Sequence, residues 1–120
     1  MNLPARPMPK PTAQVAVYVE ILGVDLAVTF LLAFGGAELH LAQNPKGKGQ
    51  VEAVIGLDNA RALAAQDHRL QRRVPLAKKW LAQMLDWQGH SIAHIARTLR
   101  TTDVSVRGWL RATQKDGPNE

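Results

Sequence analysis

Arg107 and Arg111, one helical turn apart in SVRGWLRA, carry the chemistry most visible in this 120-residue chain. A guanidinium is a planar fork of N–H donors that stays charged in proteins, so it matches the paired acceptors of a guanine edge or a phosphate. On a helix turning about 100° per residue, Val106, Trp109 and Leu110 point inward. Val104, Arg107, Gly108 and Arg111 then point outward, with Ser105 on the flank. Val104 suits a thymine methyl, and Thr101, Thr102 and Ser105 are short donors for phosphates or base edges. Gly108 permits close approach to the backbone at a cost of about 1 kcal/mol in helix propensity. Arg97 and Arg100 flank the same face. The candidate DNA-binding set is thus Arg97, Arg100, Thr101, Thr102, Val104, Ser105, Arg107, Gly108 and Arg111. The plainer reading of each arginine is a solvated surface charge.

Other chemistry finds few residues to work with. His90 and His94 are four apart but lack a third ligand nearby, and His40 and His68 stand alone. Polar groups at the start of a helix that approaches phosphate is the favoured reading of the pair, ahead of metal binding. No serine lies near a His–acid pair, and Glu20, Asp25, Glu38, Glu52 and Asp58 are scattered, with Asp25 and Asp58 explained as helix caps. The chain has no cysteine, hence no disulfide framework and no thiolate nucleophile, which fits a reducing cytoplasm. The loop at 43–49, QNPKGKG, lacks the GxxxxGK[ST] spacing of a phosphate-binding loop. The expectation is a non-enzyme with no cofactor and no metal.

The elements that must position the arginines are two short helices, about 91–99 and 102–112, joined by a turn at Arg100 and Thr101. Ile92, Ile95, Ala96 and Leu99, then Val106, Trp109 and Leu110, supply one apolar stripe per helix. Ala96 is small where a crossing helix needs close approach. Thr102 caps the second helix, with Asp103 in its first turn. This is the pattern of a DNA-binding helix-turn-helix; an ordinary helical hairpin is the bland alternative. A support helix over 76–88, with Leu76, Trp80, Leu81, Met84, Leu85 and Trp87 on a broad face, precedes it and ends at Gly89. Charge follows the same division. Residues 1–60 carry four Lys/Arg against five acids, and residues 61–120 carry eleven against five. A basic field there steers phosphate and releases counterions on binding.

Upstream, four prolines within residues 1–11 predict a disordered tail. Thr12 caps a helix over 13–22, ended by Gly23. A shift of 33 residues then lays 21–42 over 54–75, matching Gly23 to Gly56, Asp25 to Asp58 and Ala27 to Ala60. Each copy reads as glycine, an aspartate cap, a helix (25–33 or 58–66), a turn and a short strand (37–41 or 70–74). A two-stranded ribbon alone is marginal in water, which favours a partner copy. The run 26–34 is too short for a membrane span, and no signal peptide is visible. The expected fold is mainly α with a short two-stranded β element. Its parts are a tail (1–11), a helix/strand dimerisation module (12–75), a C-terminal trihelical helix-turn-helix domain (76–112) and a flexible end (113–120).

Several stretches, in order, resemble the Mor family of transcription activators from Mu-like phages. Phe34-Gly35-Gly36-Ala37-Glu38-Leu39-His40-Leu41 is like its FGG turn and strand, and Val74-Pro75 like the end of its strand before a helix. Trp87-Gln88-Gly89-His90 is like its aromatic–Asn–Gly break. Ile95-Ala96-Arg97 through Val106-Arg107 is like its helix-turn-helix. The similarity covers about residues 20–112. It implies a homodimer through the helix-and-strand half, a helix-turn-helix in each subunit, and activation of phage promoters with RNA polymerase as partner. Where that family carries glycine in the turn, this chain has Arg100, which must adopt a strained or altered φ. The resulting expectation is a cytoplasmic, homodimeric, sequence-specific regulator of double-stranded DNA. The alternatives are a phage packaging adaptor of the small-terminase kind and a helix-turn-helix protein-interaction module.

Overall fold

The computed structural model describes residues 6–39 and 49–116. The fold is mainly helical, and the chain divides into two compact units. One spans residues 11–77. The other joins residues 78 onward to the first ten.

The first unit is built from two helix–glycine–helix corners. Helix α1 (Ala13–Leu22) turns at Gly23 into α2 (Val24–Phe34), and α3 (Gln50–Ile55) turns at Gly56 into α4 (Leu57–Ala65). The corners repeat each other in detail. Gly23 has φ 82° and ψ 161°, and Gly56 has φ 85° and ψ 162°. The Gly23 N–H bonds Val19 O at 2.8 Å, and the Gly56 N–H bonds Glu52 O at 2.8 Å. The next helix starts from each glycine's own carbonyl, which accepts from Ala27 N–H at 2.9 Å and Ala60 N–H at 3.0 Å. Every pair is related by the shift of 33 residues. α1 packs on α4 and α2 on α3, so exchanging the two copies reproduces the same pairings. The buried apolar residues include Val15, Tyr18, Ala27, Phe30, Leu31, Ile55, Ala60, Leu63 and Val74. Tyr18 stacks on Phe30 with ring centroids 5.3 Å apart.

The two-stranded β element expected from 37–41 and 70–74 is not present: there is no strand among the described residues. A single antiparallel bridge joins Glu38 to Arg73, with Gly36 N–H on Val74 O at 2.7 Å and Val74 N–H on Ala37 O at 2.9 Å. The reason lies in the second segment. A short 3₁₀ turn, Asp67–Arg69, runs up to its first residue, Leu70 is only half-buried, and Gln71, Arg72 and Arg73 are exposed, so only Val74 is buried. One buried position does not make the alternating face that holds a ladder in register. His40, Leu41 and most of the 43–49 loop lie outside the described residues.

The second unit packs α5 (Lys78–Trp87), α6 (Ile92–Leu99) and α7 (Asp103–Asp116) so that each touches the other two. Its core is Trp80, Leu81, Ala82, Met84, Leu85, Ile95, Ala96, Leu99 and Val106. Both ends of the expected sequence boundaries differ here. Residues 6–10, expected as part of a disordered tail, lie against α5, where Trp80 Nε1–H reaches Pro9 O at 3.3 Å. And α7 runs to Asp116, four residues past the expected end of the helix at 112.

No single helix among the described residues is long and apolar enough to cross a membrane. α1 and α2 together have the length, but they meet at 119°.

Candidate nucleic-acid interface

The site is assembled from two capped helices and the turn between them. Ser91 sits before α6 with extended backbone, and its side chain accepts the His94 N–H at 3.1 Å, satisfying one of the four N–H groups a helix start leaves open. α6 ends at Arg100, which is left-handed at φ 56° and ψ 50°. The Thr101 N–H then turns back to Ala96 O at 2.9 Å, the bond that closes a Schellman end. α5 ends the same way, with Gly89 at φ 100° and His90 N–H on Leu85 O at 3.0 Å. The same bend is therefore made once by glycine and once by arginine. Thr102 opens α7: its Oγ1 accepts the Ser105 N–H at 3.1 Å and donates to Ser105 Oγ at 3.1 Å, while its carbonyl accepts from Val106 N–H at 3.1 Å. Ile95 and Val106 are fully buried and fix α7 against the rest of the unit. Gln83 Nε2 donates to Trp109 O at 3.3 Å and ties α7 to α5.

On this frame the sequence-derived residues separate by environment. Val104 is 69% exposed, a large apolar side chain standing in water. Arg97, Arg100, Thr102, Arg107 and Arg111 are exposed, and Thr101, Ser105 and Gly108 are half-buried. Val104, Arg107, Gly108 and Arg111 share the face of α7 opposite Val106, and Thr102 and Ser105 are occupied in capping. Arg97, Arg100 and Arg111 make no ion pair with any described residue. Arg107 does: its guanidinium meets Asp103 Oδ2 at 2.8 Å. Sequence reasoning assigned Asp103 only to the helix dipole and missed it as the partner that aims Arg107. The i,i+4 spacing was the signal available. The pair is more than half exposed, so it contributes a few tenths of a kcal/mol at most and opens readily to a competing phosphate or base.

Gly108 has no internal reason to be glycine. A Cβ built there meets nothing nearer than an Arg111 guanidinium nitrogen at 3.8 Å. His90 and His94 stack at 4.6 Å between ring centroids, at the start of α6. Charge is divided more sharply between the units than between the chain halves. The trihelical unit with residues 1–10 holds nine Lys/Arg against four acids, and residues 11–77 hold six against six. The whole net charge of +5 therefore belongs to the unit with the exposed arginines.

Comparison with protein-family models, with curated proteins and with solved structures finds no match.

Proposed function

We propose that this chain is a sequence-specific DNA-binding transcription regulator acting as a homodimer in the cytoplasm. In this reading α7 enters the major groove, Arg107 and Arg111 bond guanine edges or phosphates, Val104 touches a thymine methyl, and Arg97 and Arg100 contact the backbone. The observation that carries it is the outward face of α7. It combines two arginines, an exposed valine and a glycine without internal cause, on a unit that holds all of the net charge. A second copy supplies the second reading head for the neighbouring groove. Leu32 and Leu76, 39% and 55% exposed in the duplicated unit, are apolar surface available to it. The resemblance of residues 20–112 to Mor-type activators extends the proposal to promoters of phage type and to RNA polymerase as a contact.

Mobility shift against selected DNA tests the reading. The Arg107→Ala/Arg111→Ala chain is expected to lose about thirtyfold or more in affinity, taking about 1–3 kcal/mol per bidentate contact. The slope of log affinity against log salt is expected to flatten by about 1 for each of the two that contacts phosphate. Unaltered binding by that variant rejects the proposal.

A further inference from the structure

Residues 6–11 read Arg-Pro-Met-Pro-Lys-Pro, so each position is a proline or immediately precedes one. Proline holds φ near −65° and drives the residue before it out of the helical region. The segment is therefore set in a polyproline II conformation by its own covalent structure, with carbonyls free of internal hydrogen bonds. It lies along α5. Trp87 Nε1–H donates to Arg6 O at 2.8 Å, and Trp80 Nε1–H donates to Pro9 O at 3.3 Å. The Arg6 guanidinium pairs with Asp86 Oδ2 at 3.0 Å and also reaches the Asp86 carbonyl at 3.3 Å.

Two periodicities fix this register. Arg6 and Pro9 are three residues apart, one polyproline turn, so their carbonyls share an edge about 9 Å apart. Trp80 and Trp87 are seven apart, close to two α-helical turns, so their side chains share a face about 10.5 Å apart. Two indole donors thus meet two successive carbonyls, with the segment antiparallel to the helix. Asp86, next to Trp87, reads the cation at the segment's amino end.

We infer that this face of α5 is a docking site for a polyproline II segment with an arginine immediately before a proline. The chain fills the site with its own residues 6–10, and the same site takes such a segment from another molecule. The ligand loses little conformational entropy on docking because proline has already ordered it. Three hydrogen bonds, from the two indoles and from Arg6 to the Asp86 carbonyl, and an ion pair hold it, with the Arg6 side chain 58% exposed, so the internal segment exchanges with an external one.

The test uses the full chain with ¹⁵N-labelled tryptophan and follows exchange of the indole N–H protons. Pro7→Gly with Pro9→Gly unlocks the internal segment, and exchange at Trp80 and Trp87 is expected to accelerate at least tenfold. A synthetic peptide matching residues 4–12 restores slow exchange saturably. A peptide of the same composition with its three central prolines contiguous does not. Unchanged exchange in the glycine variant, or equal rescue by the rearranged peptide, overturns the proposal. Should that variant lose its helical circular dichroism, a charge exchange decides. Asp86→Lys accelerates both indole exchanges, and Arg6→Glu added to it slows them again; no recovery in the double variant overturns the proposal.

Discussion

Arg100 and Gly108 are each the residue the other's position would prefer. The left-handed backbone at Arg100 costs an L-residue about 1–2 kcal/mol, which glycine does not incur. Gly108 sits inside a helix with room for a Cβ, where alanine is better by about 1 kcal/mol. Arg100→Gly is therefore expected to raise the unfolding free energy by about 1 kcal/mol, and Gly108→Ala by about the same. Thermal melts check both. Under the DNA-binding proposal each substitution also weakens DNA binding, the first by removing a phosphate contact and the second by keeping α7 out of the groove. A variant that gains stability and keeps its full DNA affinity argues against a role for that residue at the interface. Both positions were legible in the sequence, because turn and helix geometry make strong demands on single residues. The Asp103–Arg107 pair was not read, although its spacing is equally local, because Asp103 already had an explanation in the helix dipole.

At the scale of elements, the sequence displayed the 33-residue shift but not where each copy begins. α1 was readable from its Thr12 cap and its apolar spacing. Its counterpart α3 has six residues, QVEAVI, with β-branched Val51, Val54 and Ile55, between glycines. At its start the Glu52 carboxylate accepts the Gly49 N–H at 2.9 Å and the Gly49 carbonyl accepts the Ala53 N–H at 3.1 Å. Nothing so short forms a helix by propensity, so packing against α2 and α4 decides it. The strands failed in the opposite sense, since the repeat suggested a short paired segment at the end of each copy that burial does not support as a ladder. The two corner glycines make a sharp prediction. Their backbone lies in a region essentially reserved for glycine, while a Cβ at either meets nothing within 4 Å. Gly23→Ala and Gly56→Ala are each expected to cost about 1–3 kcal/mol through backbone strain alone. Denaturant titration of the two variants measures it, and a near-neutral result at either position breaks the equivalence of the corners.

At the scale of the whole molecule, the two units divide the chain's charge and also its response to alkali. Tyr18, the one tyrosine, lies buried in the duplicated unit. Burial, and secondarily the Asp67 carboxylate, push its phenol above 10.0. Both disfavour the phenolate in the folded state, whereas the unfolded chain ionises near 10. The stability this gives the neutral phenol is fully present below pH 10 and is lost as pH rises through the higher folded-state value. Melts at pH 9 and pH 11 are expected to show an added alkaline loss in the duplicated unit that Tyr18→Phe abolishes. An equal loss in that variant removes Tyr18 as the cause. Partition of the molecule was only partly legible for a related reason. Hydropathy reports contiguous stretches, and the trihelical unit is not contiguous, since it includes residues 6–10.

Synthesis on the ribosome gives that discontinuity a time axis. Arg6 is polymerised 81 residues before Trp87, the indole that holds its carbonyl. At about 5–20 residues per second the wait is roughly 4–16 s. Residues 6–10 therefore emerge well before the helix that seats them. Under the docking proposal, that interval leaves the free segment of a nascent chain open to the completed α5 of a second copy.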